Sequence, residues 1–467
     1  MNGAEIDAWL RQGGLVVTAS ERAARAVSSA YHRARQSEGR KAWVAPNIQD
    51  WNSFVRSAWA ARSLDGKLVL NRTQEQSLWA TIAQADGRGA TLLEGPRYRL
   101  ADLAMEAHEL LCGYAPRLLR TSTRSGWQND AAAFSRWLAE FEETCRRGNL
   151  LSAARLPIDL IGLLENPSSN ADKGHGNPLL LSGFDRLLPV QREVFDAWGS
   201  WREAALGEPA AQIVFYEAHG DKDELAACAL ACSQQLAGNP EARILVITQN
   251  VAAMRGPIER AFLHHAATAR QFEFSLGVPL DRIPLPRAAF LLLRWLSNAL
   301  TEHELDWLFS TGLAAATADE SSRLQTHMRA LRRRGLEQPD WTLEAFLQSA
   351  AGRSEKDGPS QHAFQQWIER MIAARRQLTE LARNPQTPLD WAELIPGLLQ
   401  SLGFAAALPL ASTEFQAVKR WQQALETTAS LGFDGRRVEW KDFLSALART
   451  LAETLFAPQS RDAAIQI

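Results

Sequence analysis

Apolar positions along the chain follow two rhythms. Short runs rich in β-branched residues occur at Leu15–Thr18, Trp43–Ala45, Leu179–Ser182, Ile213–Tyr216 and Ile244–Thr248, each followed by a turn or by helical spacing. That alternation predicts a parallel sheet with crossover helices, an α/β fold. Between the second and third runs, over 67–170, apolar residues recur at helical spacing, as in Leu78, Trp79 and Ile82 and again in Trp137, Leu138 and Phe141. An all-helical body inserted into the sheet domain is expected there. The stretch Asn166–Pro178 is almost wholly polar and turn-forming, and reads as a linker. From about Pro284 the pattern is nearly all helical, beginning with Ala288, Leu291, Leu292, Trp295 and Leu296. The last residues, Ala463–Ile467, read as a strand just beginning.

Composition narrows the class. A chain of 467 residues should fold as two to four domains. The 51 Lys and Arg nearly balance 53 Asp and Glu, so no global attraction to nucleic acid exists and any such binding must use a local basic surface. Four cysteines do not make a disulfide framework, which points to a reducing compartment. No apolar run approaches the roughly 20 residues that cross a bilayer, and no basic segment precedes an apolar one at the start. A cytoplasmic protein without membrane contact is expected. The 16 tryptophans fall mostly within helical patterns, as core anchors do, with base stacking by one or two of them as the alternative.

Candidate chemistry is sparse. At the first strand, Leu15-Val16-Val17 runs straight into the helical pattern Ala19, Ala23, Ala24, Val27, Ala30. A phosphate-binding loop needs glycines, whose backbone N–H groups wrap the phosphates, and a lysine that reaches the terminal ones. Here no glycine follows Gly14 before the helix and no lysine precedes Lys41. Thr18 and Glu21 instead have the spacing of a capping box, which predicts that Glu21 folds back over the helix end. Its carboxylate would close a site that otherwise attracts anions. Asp185, past the strand Leu179–Ser182, is a lone acid; it reads as a turn residue, with Mg²⁺ binding as the alternative.

Asp221, Asp223 and Glu224 suit a helix start. Cys228 and Cys232 share a helical face with Leu225 and Leu236, as core residues rather than metal ligands, and His264-His265 is an isolated pair. Val438-Glu439-Trp440-Lys441, with Asp434 upstream, imitates the acid-x-lysine core of a nuclease. The apolar series Trp440, Phe443, Leu444, Leu447, Leu451 marks that place as a helix start. No catalytic, cofactor or metal-ligand set is therefore assigned. Arg22 and Arg25, with Arg33 and Arg35, and the triplet Arg332-Arg333-Arg334 are solvated charge or else contacts to DNA phosphates.

Several segments, taken in order, resemble a known family: Leu15–Arg25, Trp43–Trp51, Arg72–Trp79, Leu181–Asp185 with Pro189, Asp223-Glu224, Ile244–Gln249 and Phe274–Leu280. The order resembles the N-terminal part of AddB-type proteins, especially a proteobacterial group of DNA repair proteins with a C-terminal nuclease domain of the PD-(D/E)XK class. The resemblance implies a superfamily 1 helicase scaffold, two RecA-like domains each interrupted by a helical insertion. It places 1–65 and 177–285 in the first RecA-like domain, 67–170 in its insertion, and 286–467 in a mostly helical second half. Thr18–Arg25 would then occupy the phosphate-loop position without its residues, so what carries over is a scaffold, as in the inactive helicase-like subunits of AddB and RecC type. The expected role is a non-catalytic DNA-binding module in double-strand-break processing. Its alternatives are a scaffold for a partner helicase or nuclease subunit and a weak ATPase with a divergent loop. The resemblance also implies that the rest of the second RecA-like domain and the nuclease lie beyond a strand like Ala463–Ile467, in a longer protein.

Overall fold

The strand expected at Leu15–Thr18 forms (β1), and all four of its residues are buried. In the computed structural model of the chain the described residues are 3–86, 94–165, 178–204, 214–265, 271–351, 359–406, 411–457 and 463–467. The linker expected at Asn166–Pro178 lies outside them except for Pro178. The chain divides into two units, Met1–Ile213 and Val214–Ile467.

In the first unit, α1 (Gly3–Arg11) precedes β1, and α2 (Glu21–Ser37) leads from it to β2 (Ile48–Asp50) and α3 (Trp51–Ala60). Later in the chain β5 (Leu179–Ser182) is followed by α8 (Pro189–Trp198) and β6 (Trp201–Glu203). The four strands form one parallel sheet in the order β2-β1-β5-β6. Val16, Val17, Leu180 and Leu181 are sequestered on both faces, which is why these strands read as continuous apolar runs rather than alternating ones. Burying a side chain of this size is worth about 1.5–3 kcal/mol.

The second strand is displaced from its expected place. Trp43–Ala45 has strand-like composition but stays irregular, with Val44 84% exposed. The Trp43 indole instead donates to Nδ1 of His32 on α2 at 2.8 Å. Pro46 cannot donate to a ladder, and pairing begins beyond it, with Ile48 beside Val16.

Between β2 and β5 lie β3 (Leu68–Val69), α4 (Arg72–Ala85), α5 (Glu94–Tyr114), α6 (Asn129–Arg147), β4 (Leu150–Leu151) and α7 (Leu156–Glu165). The parallel pair β3–β4 joins the two ends of the α4–α6 body. Inside it Trp79 stacks on Phe141, ring centroids 4.2 Å apart, and both are fully buried. A polar group is buried beside them. The Ser152 hydroxyl donates to Oε1 of Glu75 at 2.9 Å, and Nδ1 of the wholly buried His108 lies 3.6 Å from the same oxygen.

The second unit holds α9 (Asp221–Gly238), β7 (Ile244–Leu245), α10 (Val251–His265), β8 (Phe272–Glu273) and β9 (Val278–Pro279). A long helical stretch follows: α11 (Pro284–Trp295), β10 (Leu300–Thr301), α12 (Glu302–Ser310), α13 (Ala318–Arg333), β11 (Asp340–Trp341), α14 (Leu343–Ala351) and α15 (Pro359–Leu381). It continues through α16 (Pro388–Ser401), α17 (Ser412–Ala429), α18 (Trp440–Glu453) and β12 (Leu455–Phe456) to β13 (Ile465–Gln466). β13 is the middle strand of a second parallel sheet, β7-β13-β8. This pairing divides the segment expected as 177–285: β5 and β6 belong to the first sheet, whereas β7 and β8 are joined only through β13, some two hundred residues further on. Of Ile213–Tyr216, Ile213 lies outside the described residues and Val214–Tyr216 form no strand, with Phe215 90% and Tyr216 87% exposed.

The molecule is thus a helix-rich α/β protein with small parallel sheets. None of its 16 tryptophans is exposed, and Trp79, Trp295, Trp341, Trp367 and Trp391 are among the largest fully buried side chains, in the anchoring role expected of most of them. Among the described residues no helix is long and apolar enough to cross a membrane.

The buried acid in the α4–α6 body gives a stability prediction. Glu75→Ala strands the Ser152 hydroxyl and removes the carboxylate facing His108, so it should cost about 1–3 kcal/mol. A lowered urea midpoint measures this; an unchanged midpoint would show that the buried contacts contribute nothing.

Candidate functional site at the carboxyl edge of the first sheet

Chain direction reverses between β1 and β5. From β1 the chain moves outward to β2, and from β5 it moves outward the other way to β6. In open parallel sheets the crevice beyond the carboxyl ends of two such strands is where ligands bind. Three residues end the strands there in register: Thr18 is paired with Asp50 on one side and with Ser182 on the other.

The turn beyond Thr18 is held by the protein's own groups. Ala19 N–H donates to the Ser182 carbonyl at 3.3 Å, and Thr18 Oγ1 donates to the Ser20 carbonyl at 2.9 Å. Ser20 has extended backbone (φ −150°, ψ 156°) and its hydroxyl accepts the Ala23 N–H at 3.2 Å. The cap of α2 is therefore Ser20, and the expected capping box of Thr18 and Glu21 does not form. The strand carries Thr18 into the sheet, fully buried, and leaves Glu21 as the first helical residue with its side chain exposed. A hydroxyl, not a carboxylate, caps this helix end.

The wall opposite is formed by the turn after β5. Gly183 takes φ +76° directly after β5, and a Cβ there would lie 3.7 Å from the Ala23 methyl. Small residues on both sides thus bring the end of β5 against the first turn of α2.

The acids at this edge differ in use. Asp50, which sequence reasoning did not single out, caps α3: its Oδ1 accepts from Asn52 N–H at 3.1 Å and Ser53 N–H at 3.2 Å, and its Oδ2 from the Ser53 hydroxyl at 2.6 Å. Its signal was present, an Asp followed by the helical series Phe54, Val55, Ala58 and Trp59. Asp185 lies exposed in the bend before α8 and does not cap it. That helix opens with Pro189 at its first position and with Gln191 accepting the Leu188 N–H at 2.9 Å.

Arg22 and Arg25 stand exposed at the start of α2, just beyond the crevice, with no carboxylate paired to either among the described residues. Their charge adds to the positive end of the helix dipole. The companions named with them are not equivalent: Arg35 is buried on α2, its Nη2 2.6 Å from Asp7 Oδ1. In the second unit the triplet splits. Arg332 is committed to Glu302 at 2.7 Å and Asp306 at 3.1 Å, and the hydrogen bond to Glu302 raises its pKa. Arg333 and Arg334 are exposed at the end of α13.

The remaining motifs fall into structural roles. Asp221, Asp223 and Glu224 occupy the first turn of α9. Cys232 is buried among Leu236, Ile258 and Phe262, with Cys228 packed beside it. A hydrogen bond with Cys232 lowers the Cys228 thiol to about 7, against about 12 for the burial-raised Cys112 and Cys145. His264 and His265 end α10 ring against ring. The nuclease-like Glu439 is the cap residue of α18, with Lys441 folded back onto it at 3.1 Å and Asp434 paired with Arg436. Among the described residues no group of three or more His, Cys, Asp or Glu is placed to hold a metal ion.

The cap assignment predicts a contrast. Ser20→Ala should destabilise by about 1 kcal/mol, while Glu21→Ala should stay within about 0.5 kcal/mol of the parent. Urea midpoints of the two variants decide it, and the reverse order would restore Glu21 as the closing group.

No protein-family model matches the chain, and no curated protein matches it.

Proposed function

We propose that the chain is a helicase-like, non-catalytic DNA-binding module of a bacterial repair protein that processes double-strand breaks, built on a RecA-like scaffold. The observation that carries this reading is a plan used twice. In the first unit a parallel sheet is interrupted between β2 and β5 by a helical body, and in the second a parallel sheet is interrupted between β8 and β13 by α11–α18. A helicase scaffold repeats the same plan, as the resemblance implies.

On this reading the β1–α2 turn stands where a motor would hold phosphate. The bonds of Ala19 and Ser20 fill that position with protein. The module's action is then passive: it offers shaped, locally positive surfaces, including Arg22 and Arg25 in one unit and Arg333 and Arg334 in the other, and so positions DNA for a nuclease or a partner motor.

A second reading, a scaffold for a helicase or nuclease subunit with little DNA contact, is favoured by one observation. Phe215, Tyr216 and Ile247 of the second unit are at least 85% exposed, as apolar side chains awaiting a protein partner are.

A salt titration of single-stranded oligonucleotide binding separates the two. The DNA-binding reading expects log K to fall linearly with log salt, with a slope steeper than about −2, as for three or more phosphates. Absence of binding even at low salt would leave the scaffold reading.

A further inference from the structure

The arginines of the α4–α6 body fall into two groups. On and just after α6, Arg136 pairs with Asp86, Arg146 with Glu143, Arg147 with Glu140 and Glu143, and Arg155 with Glu142. Between α5 and α6 the chain instead makes a knuckle of two 3-10 turns, Pro116–Leu119 and Thr121–Arg124. Arg117, Arg120 and Arg124 stand there with no Asp or Glu from Ala115 to Asn129.

Arg124 holds the knuckle together from within. It is 2% exposed, and its guanidinium donates to the Leu118 carbonyl at 3.1 Å, the Leu119 carbonyl at 2.8 Å and the Ser135 hydroxyl at 3.0 Å. These acceptors are neutral; burial lowers the Arg124 pKa, and the charge of Glu142 partly offsets that. Above it Arg117 and Arg120 are exposed, and no carboxylate is paired with either among the described residues. The hydroxyls of Thr121, Ser122 and Ser125 are exposed around them.

Aromatic residues flank this segment along the chain. Tyr114, the last residue of α5, is half exposed, and Trp127 lies half-buried, stacked on Phe134 with its N–H donating to the Arg124 carbonyl. Exposed guanidinium groups in the same short segment as an accessible ring offer what a single nucleic-acid strand needs, cations for phosphates and a ring for a base. An acidic peptide would match the charge but has no use for the ring.

We propose that the Tyr114–Trp127 knuckle is a contact surface for one nucleic-acid strand. Arg117 and Arg120 take backbone phosphates and Tyr114 stacks a base. Arg124 is a positioning residue that shapes the turns. This inference rests on the DNA-binding reading above, and the test separates the failure of one from that of the other.

The experiment measures oligo(dT) binding by the full chain over a range of salt. Arg117→Ala/Arg120→Ala, both exposed and outside the core, should weaken binding and make the salt slope shallower by about 1.4, two phosphate contacts at about 0.7 each. Tyr114→Ala should weaken binding about tenfold with the slope unchanged, and Tyr114→Phe should restore it. A parent that binds steeply while the double variant keeps its affinity and slope overturns the knuckle and leaves DNA binding elsewhere. A parent that does not bind at low salt overturns both. Displacement of oligo(dT) by polyglutamate of equal charge, as effective as by oligo(dT) itself, also overturns the assignment, since the surface would then take any polyanion.

Discussion

Val16, Val17 and Thr18 are paired on both sides, with Ile48–Asp50 across one edge and Leu180–Ser182 across the other. This register sets where three strands end, and therefore what stands at the carboxyl edge of the first sheet. Because Thr18 belongs to the ladder, the helix cannot start until Ser20 has capped it. Because Ser182 is level with Thr18, its carbonyl reaches the Ala19 N–H. Because Asp50 is level with both, its carboxylate meets the first amides of α3. A one-residue slip would exchange the side chains that β1 sends to its two cores, Leu15 and Val17 on one face and Val16 on the other. The tight turn follows from that pairing together with the small residues Ala23 and Gly183.

The limits of sequence reading follow from the same pairing. β1 and β5 were legible to the residue, since four consecutive apolar or small positions flanked by turn signals leave little choice. The helical body between β2 and β5 was legible from its period alone. The cap was not: Thr18 and Ser20 are both good cap residues, and the length of β1, which decides between them, depends on strands 30 and 160 residues away. The second sheet failed for a related reason. β7 and β8 look like continuations of the first sheet when read along the chain, and only β13, from the far end, shows that they share a neighbour of their own.

Charge placement carries the functional argument further than composition does. A net charge of −2 is uninformative by itself. In the structure arginines separate into those spent on carboxylates, such as Arg35, Arg332 and Arg370, and those left facing solvent, such as Arg22, Arg25, Arg117 and Arg120. The unpaired group stands solvent-facing, where the proposed DNA-binding surface would need it on an otherwise balanced protein. Sequence alone grouped Arg332 with Arg333 and Arg334 because they are adjacent; Glu302 and Asp306, a helix away, take the first of them out of that set.

The central proposal is that the β1–α2 turn, held by the protein's own hydrogen bonds, does not bind nucleotide. Equilibrium binding of MgATP to the full chain tests this most directly. The account predicts no saturable binding at millimolar nucleotide and no hydrolysis with or without DNA. Stoichiometric binding, and above all hydrolysis that is lost in Lys41→Ala, would contradict it.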